Sequence, residues 1–277
     1  MLRLGLDAGG TYTDAVLWDG RRVLHGTKSL TTRPDPIGGL RASLHKLFQD
    51  FDGDPRTIDF VGLSSTLATN AVVEGFGART ALILIGLPPY QLPKPPEVNG
   101  NEILHIININ GGHDAHGDEL CPLDLEELAK ALIDLDVSAY SVCAQFAVRN
   151  NSHEIQVRDY LGTITDKPVT CSHQLSHALD ASIRAATCVF NARLIPLIDR
   201  LINAVTQILQ EHHIKAPVYL VRADGGVMPA RIATSRPIET LLSGPAASAI
   251  GAATLTKHSD SKTDRSIKAV PVKLIGL

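Results

Sequence analysis

Apolar and polar positions alternate from the start of the chain. Residues 2–7 (LRLGLD) and 12–18 (YTDAVLW) predict two strands around a DAGG turn. Asp19-Gly20 is a hairpin signal and 21–30 supplies a third strand, so the chain opens as an antiparallel meander. Pro34 and Pro36 introduce a helix over 36–50, with Ile37, Leu40, Leu44, Leu47 and Phe48 at helical spacing. The run 58–63 (IDFVGL) predicts a buried strand, 66–74 a short helix, and 79–85 (RTALILI) another buried strand. Residues 86–101 are proline-rich and predict a loop. Helices are predicted at 123–135, with Asp124 as N-cap, and at 151–161; strands are predicted at 139–146 and 168–172. A long helical stretch, 177–213, is expected to break or kink at Pro196. The strand 216–221 stops at RADGG, and 237–256 begins extended and then turns helical through SGPAASAIGAA. Strands alternating with helices after a meander predict an α/β fold, a mixed sheet with flanking helices.

Composition narrows the function classes. The 277 residues suffice for a sizeable core, and 44% hydrophobic with 20% charged residues is ordinary globular usage. A net charge of −3 and 4% aromatics argue against nucleic acid and anionic membranes as partners. No apolar run reads as a membrane span. Cys121, Cys143, Cys171 and Cys188 form no C-x-x-C pair, and are expected as reduced thiols of a cytoplasmic protein.

The candidate chemistry lies at strand ends. In DAGGTYTD, Gly9 and Gly10 let backbone N–H groups approach an anion. Thr11 and Thr13 offer hydroxyls to phosphate, while Asp7 and Asp14 are oxygen donors suited to hydrated Mg²⁺. The alternative is a Gly-Gly hairpin turn that binds nothing. Ser64–Thr66 follow a buried strand, where sheets commonly bind ligands, but they also suit a capped helix start. Asp224, Gly225 and Gly226 repeat the strand–Asp–Gly–Gly junction without the threonines. The densest polar cluster, 105–124, offers His113, Asp114 and His116 as ligands for a second divalent metal, although loops collect such residues without a purpose. No nucleophile elbow is visible.

The strings LGLDAGGTYTDAVL, STLATNAVVEG, GARTALILI, GDELCPLD, ALDASIRAATCVFNARLIPLIDRL, RADGGVMP and PIETLLSGPAASAIGAA occur in this order. Together, over residues 2 to about 254, they resemble the A-type, ATP-dependent subunit of the hydantoinase/5-oxoprolinase family. The resemblance implies an actin-like ATPase (RNase H-like) first lobe. It divides the chain into an N-terminal hydantoinase A-like domain (1–175), the start of a hydantoinase/oxoprolinase domain (176–257) and an atypical tail (258–277). It also implies ATP and Mg as cofactors, with Asp7, Gly9, Gly10, Thr11, Thr13 and Asp14 facing phosphates and metal and Asp224, Gly225 and Gly226 near the cleft. The implied reaction opens a small cyclic amide of hydantoin or 5-oxoproline type, completed by a B-type subunit or domain.

Such folds carry a second D-x-G-G-T loop after the SGPA helix, and residues 255–277 contain no glycine pair. The expectation is a truncated or one-lobed chain that binds ATP weakly by itself. Two other functions stay open: a non-catalytic binding or assembly subunit, and a phosphotransferase of sugar- or acetate-kinase type.

Overall fold

In the computed structural model, residues 1–32, 37–87 and 104–259 are described. They fall into two compact units, one formed by Met1–Asn70 and the chain from Ile198 onward, the other by Ala71–Leu197.

The first unit holds a six-stranded sheet. Its strands are β1 (Leu2–Ala8), β2 (Tyr12–Trp18), β3 (Val23–Leu30), β4 (Ile58–Ser65), β11 (Val218–Val221) and β12 (Val227–Pro229), in the order β12-β11-β4-β1-β2-β3. β1, β2 and β3 pair antiparallel, β4 lies parallel to β1, and β11 lies parallel to β4. An antiparallel meander extended by parallel strands on the side of β1 is the RNase H-like arrangement of the actin-like ATPases. The central strands are covered on both faces, with every residue of 4–8 on β1 and 61–65 on β4 buried. The helix α1 (Ile37–Gln49) packs against β1–β3 through Leu40, Leu44 and Leu47. Two expectations, the Pro34/Pro36 helix start and the body of the proline-rich loop, fall outside the described residues.

The second unit holds an all-parallel sheet of β5 (Thr80–Ile85), β6 (Leu104–Ile109), β9 (Ala139–Ala144) and β10 (Val169–Cys171), in the order β10-β9-β5-β6. Successive residues of β5 supply opposite faces. Ala81, Ile83 and Ile85 join a cluster with Val142, Val157 and Leu161, while Leu82 and Leu84 pack with Cys143, Ala185 and Val189. Between β6 and β9 lie a short β7–β8 hairpin (Gly112–His113 and Glu119–Cys121) and α3 (Leu125–Ala131), and α4 (Ser152–Ile164) follows β9. Asp124 caps α3 as expected, its carboxylate accepting from Glu127 N at 2.8 Å.

Two helices cross the division between the units, α2 (Leu67–Val73) and α5 (Ala181–Glu211). α5 runs for 31 residues with Pro196 inside it, so of the expected break or kink the helix shows no break. Apolar residues on either side of the proline, Ala192, Leu194, Ile195, Ile198 and Leu201, are buried, and this packing outweighs one missing backbone hydrogen bond. By length and composition α5 is also apolar enough to cross a bilayer, contrary to the first hydropathy reading, but 61% of its most apolar window is buried within the protein. Past β12 come α6 (Ala230–Ser235) and α7 (Ser243–Ser259), and α7 packs against β4 and β11.

Candidate functional site

Register builds the first half of the site. On the antiparallel pair β1–β2, Asp7 lies opposite Asp14 and Ala8 opposite Thr13, leaving Gly9, Gly10 and Thr11 to make the turn. The Gly9 N–H donates to Tyr12 O at 3.1 Å, and a Cβ on Gly9 would stand 2.6 Å from that same oxygen. Close approach of backbone, not a left-handed φ, therefore demands this glycine. Thr31, just past β3, pins the turn from outside. Its N–H donates to Thr11 O (2.9 Å), its hydroxyl donates to Gly9 O (2.8 Å), and it shares a hydrogen bond with the Thr13 hydroxyl (3.1 Å). Thr13 is fully buried, so its hydroxyl braces the turn, whereas Thr11 is exposed.

Asp7 and Asp14 are both buried. Like charges directly opposite on paired strands are unfavourable unless something compensates them. Ser64 on β4, in register with Asp7, donates its hydroxyl to Asp7 Oδ1 at 2.6 Å. Lys28 on β3, in register with Asp14, brings Nζ to 3.3 Å from Asp14 Oδ1 and lies over the Tyr12 ring. A parallel partner therefore serves one carboxylate and an antiparallel partner the other.

The carboxyl end of β4 joins this turn to two helix starts. The Ser65 hydroxyl donates to Ala8 O (3.3 Å) and accepts from Leu67 N (3.0 Å), capping α2. Ser243, at the start of α7, donates its hydroxyl to Ser65 O at 3.1 Å, and Leu242 N donates to the Thr69 hydroxyl at 3.0 Å. Leu242 takes a left-handed φ of 59° to make this corner. Sequence reasoning missed Ser243 and Thr31, since neither lies near DAGG in the chain. The signal for Ser243 was present in the S-G-P helix start.

Asp224, Gly225 and Gly226 form the β11–β12 hairpin turn. Arg222 N donates to Gly226 O (2.8 Å) and Gly226 N to Asp224 Oδ1 (2.9 Å), while Arg222 Nη2 lies 3.0 Å from Asp224 Oδ2. Gly225 has φ +82°, and a Cβ there would fall 2.1 Å from Ile250 Cδ1 of α7. The turn thus satisfies its own carboxylate and packs on the SGPA helix.

The 111–119 loop does not gather its ligand set. Asp114 Oδ1 accepts from the N–H groups of His116, Gly117 and Asp118 at 2.8–2.9 Å, which holds its carboxyl below the usual range and spends it on the turn. His116 is exposed, whereas His113 is buried against the His153 ring with Nε2 3.2 Å from the Ser152 hydroxyl. Burial, and secondarily His153, hold the His113 imidazole below its ordinary range. Among the described residues, the group of three whose ligand atoms lie within 4.8 Å of one another is Glu154, Cys171 and His173, which sequence reasoning did not single out.

That group sits at the carboxyl edge of the second sheet. Glu154, fully buried in the first turn of α4, accepts from Ala144 N (2.9 Å) and the Ser172 hydroxyl (2.5 Å) on one oxygen. On the other it accepts from His173 N (3.1 Å) and shares a hydrogen bond with His173 Nδ1 (2.5 Å). Arg184, also fully buried, donates to Ser172 Oγ (3.3 Å) and to the carbonyls of Ala144, Ala178 and Leu179. Burial pushes the Cys171 thiol up to about 12, which disfavours a thiolate ligand.

Comparison with known proteins places this geometry. The chain is 28% identical over 88% of its length to the caprolactamase subunit alpha of Pseudomonas jessenii, and 24% identical over 90% to 5-oxoprolinase 1 of Arabidopsis thaliana. It spans 38% and 23% of those proteins. The crystal structure of the P. jessenii ATP-dependent caprolactamase and a nucleotide-free structure of acetone carboxylase share the fold, each with a TM-score of 0.75 over 92% of this chain and 40% of theirs, at 24% and 20% identity. The family described as Hydantoinase/oxoprolinase N-terminal region matches residues 3–165, and Hydantoinase/oxoprolinase matches 184–264. The DAGGT turn, the SGPA corner that meets it and this match over most of the chain make it a member of the hydantoinase/oxoprolinase family, A-type N-terminal region.

Proposed function

We propose that this chain supplies a phosphate-binding loop to an ATP-dependent hydrolase of cyclic amides, working with a B-type subunit or domain. The observation that carries this reading is the paired buried carboxylates of Asp7 and Asp14 beside a turn whose Gly9 has no room for a Cβ. Thr11, left exposed on a turn that Thr31 holds in place, suits close approach of a phosphate. The donor set also fits Mg²⁺, which prefers hard oxygen ligands and retains water: Asp7 would hold it, with Asp14 behind. Bound there, the ion would neutralise phosphate charge. Ser64 fixes the Asp7 carboxylate and Lys28 fixes Asp14, so both are oriented before a ligand arrives. The names of the caprolactamase and 5-oxoprolinase relatives support a cyclic amide as substrate, and phosphorylation of the amide oxygen would make an unreactive amide labile to water.

Titration of Mg-ATP by calorimetry tests the reading. Asp7→Ala is expected to weaken binding at least about tenfold, the worth of roughly 1.4 kcal/mol of lost interaction, while circular dichroism stays that of a folded chain. Binding that is unchanged in a folded Asp7→Ala protein sinks the proposal.

A further inference from the structure

The second sheet carries a polar constellation at its carboxyl edge that the nucleotide reading does not use. Ligands of parallel α/β sheets bind at that edge. Here Glu154, Ser172, His173 and Arg184 meet at the ends of β9 and β10. Ala144 N, the Ser172 hydroxyl and His173 N donate to Glu154, and His173 Nδ1 lies 2.5 Å from its second oxygen, where an Nδ1–H would complete the set. Arg184 reaches the carboxylate only through the Ser172 hydroxyl, which leaves the imidazole as its direct partner. The other ring nitrogen is turned the opposite way. Among the described residues no hydrogen bond occupies His173 Nε2, and the side chain keeps 15% of its surface exposed beside a carboxylate that keeps none. A buried carboxylate behind an imidazole with a free outward nitrogen is an arrangement suited to accepting a proton.

We propose that Glu154 and His173 form a proton-transfer dyad for a polar small molecule bearing an acidic N–H or O–H. The ligand's N–H or O–H bond breaks, its electron pair stays on the ligand, and the proton forms an Nε2–H bond. The imidazolium charge then lies directly against the Glu154 carboxylate, and the proton leaves Nε2 to water when the ligand departs. Glu154 acts through His173, so it is a positioning residue. The dyad lies within the second unit, and the proposal does not rest on nucleotide binding in the first.

Two measurements on the intact chain test it without nucleotide. Nitrogen-15 spectra of ring-labelled histidine are expected to show His173 protonated at Nδ1 and bare at Nε2 near neutral pH. Diethyl pyrocarbonate, whose carbonyl carbon a bare imidazole nitrogen attacks, is expected to modify His173 several-fold faster than the exposed loop residue His116, by peptide mapping. Glu154→Gln is expected to lower the His173 rate several-fold, because the ring loses the carboxylate that orients it. A proton on Nε2, or a His173 rate no greater than that of His116 in the unsubstituted chain, overturns the proposal, and neither result depends on whether the variant folds.

Discussion

The carboxyl edges of the two sheets use the same residue types in opposite ways. In the first unit, Asp7 and Asp14 stand beside a turn held by backbone and hydroxyl contacts, with Thr11 left outside. In the second, Glu154 is saturated by four hydrogen-bond partners from its own unit, and Arg184 bonds to three carbonyls and a hydroxyl. At one edge a threonine of the turn stays exposed beside carboxylates that each have a partner; the other is closed by side chains except at one ring nitrogen. A polar strand end is therefore not by itself a ligand site. What separates the two is how much of the polar surface faces outward.

The sharpest way to break this comparison is Glu154→Ala. It strands the four polar groups gathered on the buried carboxylate, so a loss of about 3–5 kcal/mol is expected in urea unfolding. A loss under about 1 kcal/mol would show the second edge to be as open as the first. Gly9→Ala comes next. The methyl meets Tyr12 O, and a shift of the turn costs about 1–3 kcal/mol, read as a lower unfolding midpoint with weakened Mg-ATP binding. Ser243→Ala removes the hydrogen bond to Ser65 O and is expected to cost about 1 kcal/mol in thermal unfolding.

The smallest effect is a dependence on pH. The folded state lowers the His113 pKa below its unfolded value of about 6.5. Its stabilisation is therefore complete above that value and is lost as pH falls through the lowered one. Urea midpoints measured from about pH 7.5 down to 5.5 should fall, and His113→Gln should flatten the fall. An unaltered slope in that variant would show that His113 titrates alike in both states.

Much of this was legible along the chain. Strict alternation and buried runs placed β1 to β5, β9 and β11, because those strands meet solvent on one face or on none. The strand β6 was hidden inside a string that looked polar. His105 and Asn108 interrupt its apolar residues, and only parallel pairing with β5 makes it a strand. Asp7 and Gly9 announced a turn, but not that Thr13 would be spent inside it on Thr31. Ser64 and Lys28, the partners of the two carboxylates, come from different strands, and register rather than spacing brings them to Asp7 and Asp14. Composition counts the donors of the His113/Asp114/His116 set but not their placement: the turn engages one oxygen of Asp114 and His113 is buried, while His116 is exposed. Glu154 is silent in the sequence for the converse reason. A single glutamate opening a helix looks like a solvated residue favoured by the dipole until two other segments, at Ala144 and at Ser172–His173, are seen to point at it.

The pairing of Val61 on β4 with Val218 on β11 has a consequence for how the chain is made. The whole of the second unit is synthesised between these two strands. Until β11 emerges from the ribosome, β4 is an uncovered parallel edge, able to pair with another chain. A second unit that folds promptly shortens the effective loop that must close and brings β11 to its place sooner. Weakening that unit is then expected to leave its mark first on aggregation during synthesis, in a sheet that the substitution never touches.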